Sequence, residues 1–215
     1  MRLVLVRHGE AHAGFGGVIG GRTGCAGLTD LGRRQAAALR DHLSLSSRLQ
    51  ADLLIVSEIP RAIETAEIIA PGLGLPIARH ECDLCEVHTG EADGLTWEEY
   101  DARYGSFDME AEPDRPFAPE GDSWNSFHER VQRVLQRLAT EHPEETVVAV
   151  CHAGVIMAAM RGLLGIPHLG RTARAAQLRP SNTGLTEWEH DPVLEHWSLH
   201  SFNETGHLLD LAVTA

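Results

Sequence analysis

The first apolar run of the chain, Leu3-Val4-Leu5-Val6 within 2–6, stops abruptly at Arg7. A short unbroken run of this kind predicts a strand buried on both faces. The pattern returns at 53–56, which stops at Ser57, and at 146–150, which stops at Cys151-His152. Between these runs the spacing becomes helical. Leu31, Ala38, Leu39 and Leu43 predict a helix from a cap at Thr29 or Asp30 to about residue 45. Pro60 suits the first turn of a second helix to about residue 70, with Pro71-Gly72 as its stop. Ser123 caps a long amphipathic helix to about residue 142, whose stripe is Phe127, Val131, Val134, Leu135 and Leu138. A further helix is predicted over 155–164, ended by Gly165, and two last strands over 183–188 and 194–199.

Strands that alternate with helices argue for an α/β fold: a three-layer sandwich with a mainly parallel central sheet flanked by helices. Residues 11–27 are glycine-rich and read as loop. Residues 76–122 mix a short strand, acidic loops, a helix near 96–104 and the proline-rich stretch 113–119, and read as a small inserted cap over one end of the sheet. There is no internal repeat and no linker, so 1–215 reads as a single domain, a length that suits one core with a cap.

Charge narrows the partners. The formal net charge of −13 opposes nucleic acid, and every one of the 18 basic residues is arginine. No apolar run is long enough to cross a bilayer, and the N-terminus has too short an apolar core for a signal peptide. The expectation is a cytoplasmic protein with no membrane and no nucleic-acid partner; a homodimer is only a general expectation. Cys25, Cys82, Cys85 and Cys151 then read as free thiols. Cys82-Asp83-Leu84-Cys85 is a CxxC without a second pair, so a zinc site would need histidines from elsewhere; the plainer reading is two half-buried thiols.

In open α/β sheets ligands bind beyond the carboxyl ends of the strands. Three of the predicted strands end there in polar residues: Arg7-His8, Ser57 and Cys151-His152. Two histidines far apart in sequence are thereby expected on one sheet edge, with arginines beside them.

Arg7-His8-Gly9-Glu10 after an apolar strand resembles the RHG signature of the histidine phosphatase (phosphoglycerate mutase-like) superfamily. Further segments are similar to that family in the same order. Leu28-Thr29-Asp30-Leu31-Gly32-Arg33-Arg34-Gln35-Ala36 resembles its LTxxGxxQA helix start, and 57–66, with Ser57, Arg61 and Thr65, its SxxxRAxxTA element. Leu84-Cys85-Glu86 with Gly90 and Gly94 resembles its acid loop, and Pro119-Glu120-Gly121-Asp122-Ser123 its PxGES cap. Cys151-His152-Ala153-Gly154 stands in the place of its second histidine. The resemblance spans nearly the whole chain. It implies a metal-independent phosphomonoester hydrolase, without cofactor, acting on a small soluble phosphorylated metabolite. It implies His8 as the nucleophile that becomes phosphohistidine, and Arg7, Arg61 and His152 as holders of the phosphoryl oxygens. Glu86 is implied as the acid that protonates the leaving alcohol and then activates water. Asn182 resembles a family asparagine near the second histidine, and Ser57 is a candidate phosphate contact.

The chemistry agrees with these roles. Phosphoryl transfer needs in-line placement and charge neutralisation, and two arginines supply bidentate, charge-assisted hydrogen bonds. They also favour a neutral, nucleophilic His8. With no P-loop lysine and no obvious metal-binding carboxylate pair, these arginines take over what Mg²⁺ does elsewhere. Glu91, Asp93, Glu98 and Glu99 read as solvated loop or helix charges. The segment 10–14 lacks the asparagine of the family's mutases, and 20–24 lacks their tryptophan, which weakens a phosphoglycerate-type mutase as the alternative. A catalytically silent phosphate-binding or interaction domain is the remaining alternative; it is disfavoured because His8, Arg7, Arg61, His152 and Glu86 are all present.

Overall fold

The computed structural model describes residues 1–14, 17–45, 49–166 and 178–209. Its centre is a six-stranded sheet built from β1 (Arg2–Arg7), β2 (Leu53–Val56), β3 (Ile77–His80), β4 (Thr146–Cys151), β5 (Leu185–Asp191) and β6 (His196–Glu204). The strand order is β3-β2-β4-β1-β5-β6; the first four are parallel, and β5 and β6 run antiparallel.

Side-chain alternation explains why the apolar runs are unbroken. In β1, Leu3 and Leu5 point into one core with Val147 and Ala149 of β4, while Val4 and Val6 point into the other with Val148 and Val150. The helices α4 (Trp124–Glu141) and α5 (Ala153–Leu163) cover the first face; α1 (Asp30–Leu45) and α2 (Pro60–Leu73) cover the second. Strands packed on both sides have no polar face to keep.

The helix ends obey local chemistry. Thr29 Oγ1 accepts the Gly32 N–H at the start of α1, and Ser123 and Ser126 form a reciprocal capping box at α4. In α3 (Trp97–Tyr104), Thr96 and Glu99 do the same. Each cap contributes about 1 kcal/mol. The stop expected at Pro71-Gly72 is not where α2 ends. The helix runs on to Leu73 and is closed by Gly74 in the left-handed conformation, φ 68°. Pro71 sits in the exposed last turn, where one lost backbone bond is tolerated. Gly72 has a packing role instead: a Cβ there would lie 2.3 Å from the Arg40 carbonyl oxygen of α1. The last two strands also begin later than 183 and 194. Thr183, at φ 56°, and Gly184 belong to a turn that hangs on the end of β1 through Thr183 N–H to Arg7 O and Arg7 N–H to Gly184 O.

Of the stretch 76–122, β3 is an edge strand of the sheet. The remainder rises above the strand carboxyl ends around a small aromatic core of Tyr100, Tyr104, Phe107 and Phe117 with Ile19. No helix among the described residues is long and apolar enough to cross a membrane.

Candidate active site

Strand register brings the two histidines together. Arg7 of β1 pairs with Cys151 of β4, so the next residues, His8 and His152, leave the sheet side by side. The His8 N–H donates to Cys151 O at 3.0 Å, and the ring centroids lie 5.1 Å apart. Val56 of β2 pairs with Val150, which places Ser57 on the other side of His152. Pro60 opens α2 just beyond, and its second residue, Arg61, is buried with its guanidinium turned to His8.

The His8 ring is fixed in one tautomer. Nδ1 lies 2.6 Å from Gly9 O, which only accepts, so Nδ1 carries the proton and Nε2 the lone pair. Arg61 Nε–H donates to that lone pair at 3.1 Å, while Arg61 Nη1 donates to Gly20 O at 2.7 Å. Burial above all, then the Arg61 charge and, more weakly, Arg7, hold His8 well below the ordinary histidine range, against the opposing Gly9 hydrogen bond. His152 is fully buried and likewise held well below the ordinary histidine range by burial, then by Arg61, His8 and Arg7. Its Nε2 meets Ser57 Oγ at 2.7 Å, and its buried Nδ1 has no partner among the described residues. Arg7 Nη1 donates to Pro180 O, whereas its buried Nε is also without a partner among them. In a cavity floor, polar atoms left in this way are available to a ligand.

Of these groups, Arg7, His8 and Arg61 border a cavity of about 490 Å³; His152, expected to hold a phosphoryl oxygen, is fully buried beside His8 and does not line it. Arg7, His8, Arg61, Glu86 and Asn182 form its polar floor; Val18, Ile19, Trp97, Met109 and Phe117 form an apolar wall. Glu86 stands at the amino end of α5, where Oε2 accepts the Gly154 N–H at 3.0 Å. A Cβ at 154 would lie 2.0 Å from Glu86 Oε1, so any larger residue there would move that carboxylate. Asn182 lines the cavity and donates Nδ2–H to the His8 carbonyl. Ser57 does not line it; its hydroxyl is spent on His152, the Ile59 N–H and Cys85 Sγ.

Several residues shape the site without having had a role assigned from the sequence, although Thr65, Gln35, Gly9 and Gly32 stand inside its motifs. Thr65 Oγ1 accepts the Gly9 N–H and donates to Arg61 O, and Gln35 Oε1 accepts the Glu10 N–H, so α1 and α2 both anchor the loop after His8. Gly9 and Gly32 let those backbones touch; a Cβ on Gly32 would lie 2.0 Å from Glu10 O. Asp93, expected as a solvated charge, accepts the N–H groups of Gly21, Thr23 and Gly24 at 2.8 Å each. It thereby shapes the loop whose Gly20 carbonyl holds Arg61. Arg130, buried on α4, donates to the carbonyls of Cys82, Asp83, Cys85 and Glu86 and to Asp122. A charge on the apolar stripe between Phe127 and Val131 was the available signal.

The buried imidazoles have a consequence for stability. Unfolded, they take up protons below about pH 6.5; folded, they stay neutral. The unfolded chain therefore binds more protons below that pH, and stability falls on acidification, by up to about 1.4 kcal/mol per pH unit for each such histidine. Denaturant unfolding between pH 7.5 and 5.5 measures this slope. It is expected to be shallower in His8→Ala, and an unchanged slope would show that His8 is not buried neutral.

Comparison with known proteins reaches the same place. The family model described as histidine phosphatase superfamily (branch 1) matches residues 3–205. A metal-independent phosphoserine phosphatase of Arabidopsis thaliana is 32% identical over 160 residues, 73% of this chain and 66% of that protein. A glucosyl-3-phosphoglycerate phosphatase of Mycolicibacterium vanbaalenii is 31% identical over 174 residues, 77% of this chain and 75% of that protein. Among solved structures, a mycobacterial glucosyl-3-phosphoglycerate phosphatase complexed with VO3 superposes with a TM-score of 0.72 at 28% identity, covering 94% of this chain and 98% of that one.

Proposed function

The chain belongs to the histidine phosphatase superfamily, branch 1, and on that premise we propose that it hydrolyses small phosphomonoesters by way of a phosphohistidine on His8. The observation that carries this is the Nε2 lone pair of His8, set by the Gly9 hydrogen bond and surrounded by the Arg7 and Arg61 guanidiniums at the floor of one cavity.

The steps use groups already in place. An arriving phosphoryl group takes the Arg61 guanidinium away from His8 Nε2 and occupies the orphaned Arg7 Nε–H. In this reading the Ser57 hydroxyl turns from Cys85 Sγ to His152 Nε2, which leaves the His152 proton at Nδ1 for a third oxygen. Nε2 of His8 attacks phosphorus in line, the P–O bond to the alcohol breaks, and Glu86 supplies the proton that the alcoholate needs. Glu86 then takes a proton from water as that water attacks the phosphohistidine, returning phosphate and free His8. Asn182 acts by holding the His8 carbonyl, and Ser57 by orienting His152. The whole chain works as one catalytic domain, with the part of 76–122 that follows β3 as its cap.

The cavity wall also speaks to the substrate. Among the described residues, Arg7 and Arg61 are the only basic groups lining it, and the phosphoryl group occupies both; the wall above them is apolar. Esters of uncharged alcohols with an apolar or planar body are therefore favoured over those bearing a second anionic group. An initial-rate screen over aryl phosphates, sugar phosphates, phosphoglycerates, nucleotides and phosphopeptides tests both parts, with wild type beside Glu86→Gln. The variant is expected to lose roughly 10²–10⁴-fold on esters of poor leaving groups and far less on p-nitrophenyl phosphate. Equal losses would remove Glu86 from the acid role. Transfer to a monophosphoglycerate without release of phosphate would replace hydrolysis by the mutase reaction.

A further inference from the structure

The CxxC that found no use in catalysis lies beside a histidine. Cys82, Cys85 and His88, which flank Glu86 in the chain, present their ligand atoms within 4.8 Å of one another. Cys82 Sγ and His88 Nε2 are 3.5 Å apart. Around a tetrahedral zinc ion, with Zn–S of about 2.3 Å and Zn–N of about 2.1 Å, the edge between a sulfur and a nitrogen ligand is about 3.6 Å. That one edge already has the length it would have around a bound ion, and the other two lie within 4.8 Å. We propose that Cys82, Cys85 and His88 form a structural site for a soft d¹⁰ cation, of which Zn²⁺ is the representative, that pins the loop carrying Glu86.

The surroundings are those of a built site. His88 turns Nδ1 towards Asp122 Oδ2, 3.6 Å away, so the nitrogen not aimed at the sulfurs faces a carboxylate, the usual outer partner of a metal-bound imidazole. The same carboxylate oxygen accepts the His88 backbone N–H at 2.9 Å. The ligand loop is held independently of any ion, because the buried Arg130 guanidinium collects the carbonyls of Cys82, Asp83, Cys85 and Glu86. Charge balances as well. On binding, the two thiols release their protons to solvent and the resulting thiolates cancel Zn²⁺, while Asp122 neutralises Arg130 and Glu58 pairs with the nearby Arg22. Cys85 is buried, whereas Cys82 and His88 are half-exposed, which leaves a path for entry and a fourth position for water. Soft sulfur donors with one imidazole select zinc or cuprous ion over magnesium or calcium. None of the three ligands lines the cavity, and among the described residues the site meets the catalytic groups only through Cys85 Sγ, which accepts from Ser57 Oγ at 3.3 Å.

The test uses full-length protein, reduced and stripped of metal, titrated with Co²⁺ and then Zn²⁺. One equivalent of Co²⁺ is expected to give a thiolate-to-cobalt charge-transfer band that Zn²⁺ bleaches. Zn²⁺ at about 100 times its dissociation constant is expected to raise Tm by roughly 5–10 °C. Cys82→Ser and His88→Gln should each weaken binding by about 100-fold or more. Should either variant fail to fold, X-ray absorption of zinc-loaded wild type decides, with two sulfurs at about 2.3 Å and one nitrogen near 2.0 Å expected. The absence of a band, a band that survives in both variants, or a zinc shell of nitrogen and oxygen alone would each overturn the site. So would a Cys82–Cys85 disulfide in zinc-free protein purified without reductant.

Discussion

Replacing His8 by alanine is expected to lower kcat on p-nitrophenyl phosphate by roughly 10⁴- to 10⁶-fold, the scale on which covalent catalysts lose rate when the nucleophile is deleted. The fold should survive the change. Alanine removes a side chain that makes two hydrogen bonds, one to its neighbour's carbonyl and one from Arg61 Nε–H. The backbone of residue 8 remains fixed by Cys151 O and by the Asn182 side chain. Phosphate should still bind, because Arg7 and Arg61 are untouched. Rapid-quench trapping with labelled ester separates loss of chemistry from loss of folding: wild type is expected to yield an acid-labile, base-stable phosphoenzyme, and His8→Ala none. Activity within tenfold of wild type in the variant would sink the phosphohistidine mechanism, whatever the fold.

Arg61→Ala carries the second large effect, an expected loss of about 10³- to 10⁵-fold in kcat/KM, comparable to removing an arginine that neutralises a transferring phosphoryl group. Arg61→Lys should recover little, since a lysine cannot meet Gly20 O and a phosphoryl oxygen from one planar fork. A second readout distinguishes a catalytic from a merely structural part. Arg61 is the larger of the two charges that depress His8, and it also depresses His152. Without it, both imidazoles are protonated more easily, and the acidic limb of kcat/KM is expected to move to higher pH. A lower plateau with an unmoved limb would mean that Arg61 does not act on His8 electrostatically.

The element pattern of this protein was largely legible along the chain. Unbroken apolar runs at β1, β2 and β4 could only be strands covered on both faces, and the strands they became alternate between the two cores. Errors fell where a local signal had a second use. Gly72 was read as a stop, but it lets α2 approach α1. The polar, alternating β5 and β6 were placed too early because the turn at Thr183 and Gly184 is defined by its bonds to β1, not by its own residues.

Chemistry divided in the same way. His8, His152 and Ser57 stood out because each follows a buried strand, and strand ends are visible in sequence. Which of them face the cavity was not. Only the parallel register of β1, β4 and β2 puts Ser57 behind His152, and only the folded loop lets Asp93 organise 20–24 around Arg61. Arg130 and the grouping of His88 with Cys82 and Cys85 belong to this second kind. The order of strands, helices and reactive residues is carried by local periodicity, which needs no knowledge of the rest of the chain. Hydrogen-bond partners, tautomers and ligand spacings depend on segments tens of residues apart, and they exist only once the two cores have closed on the sheet.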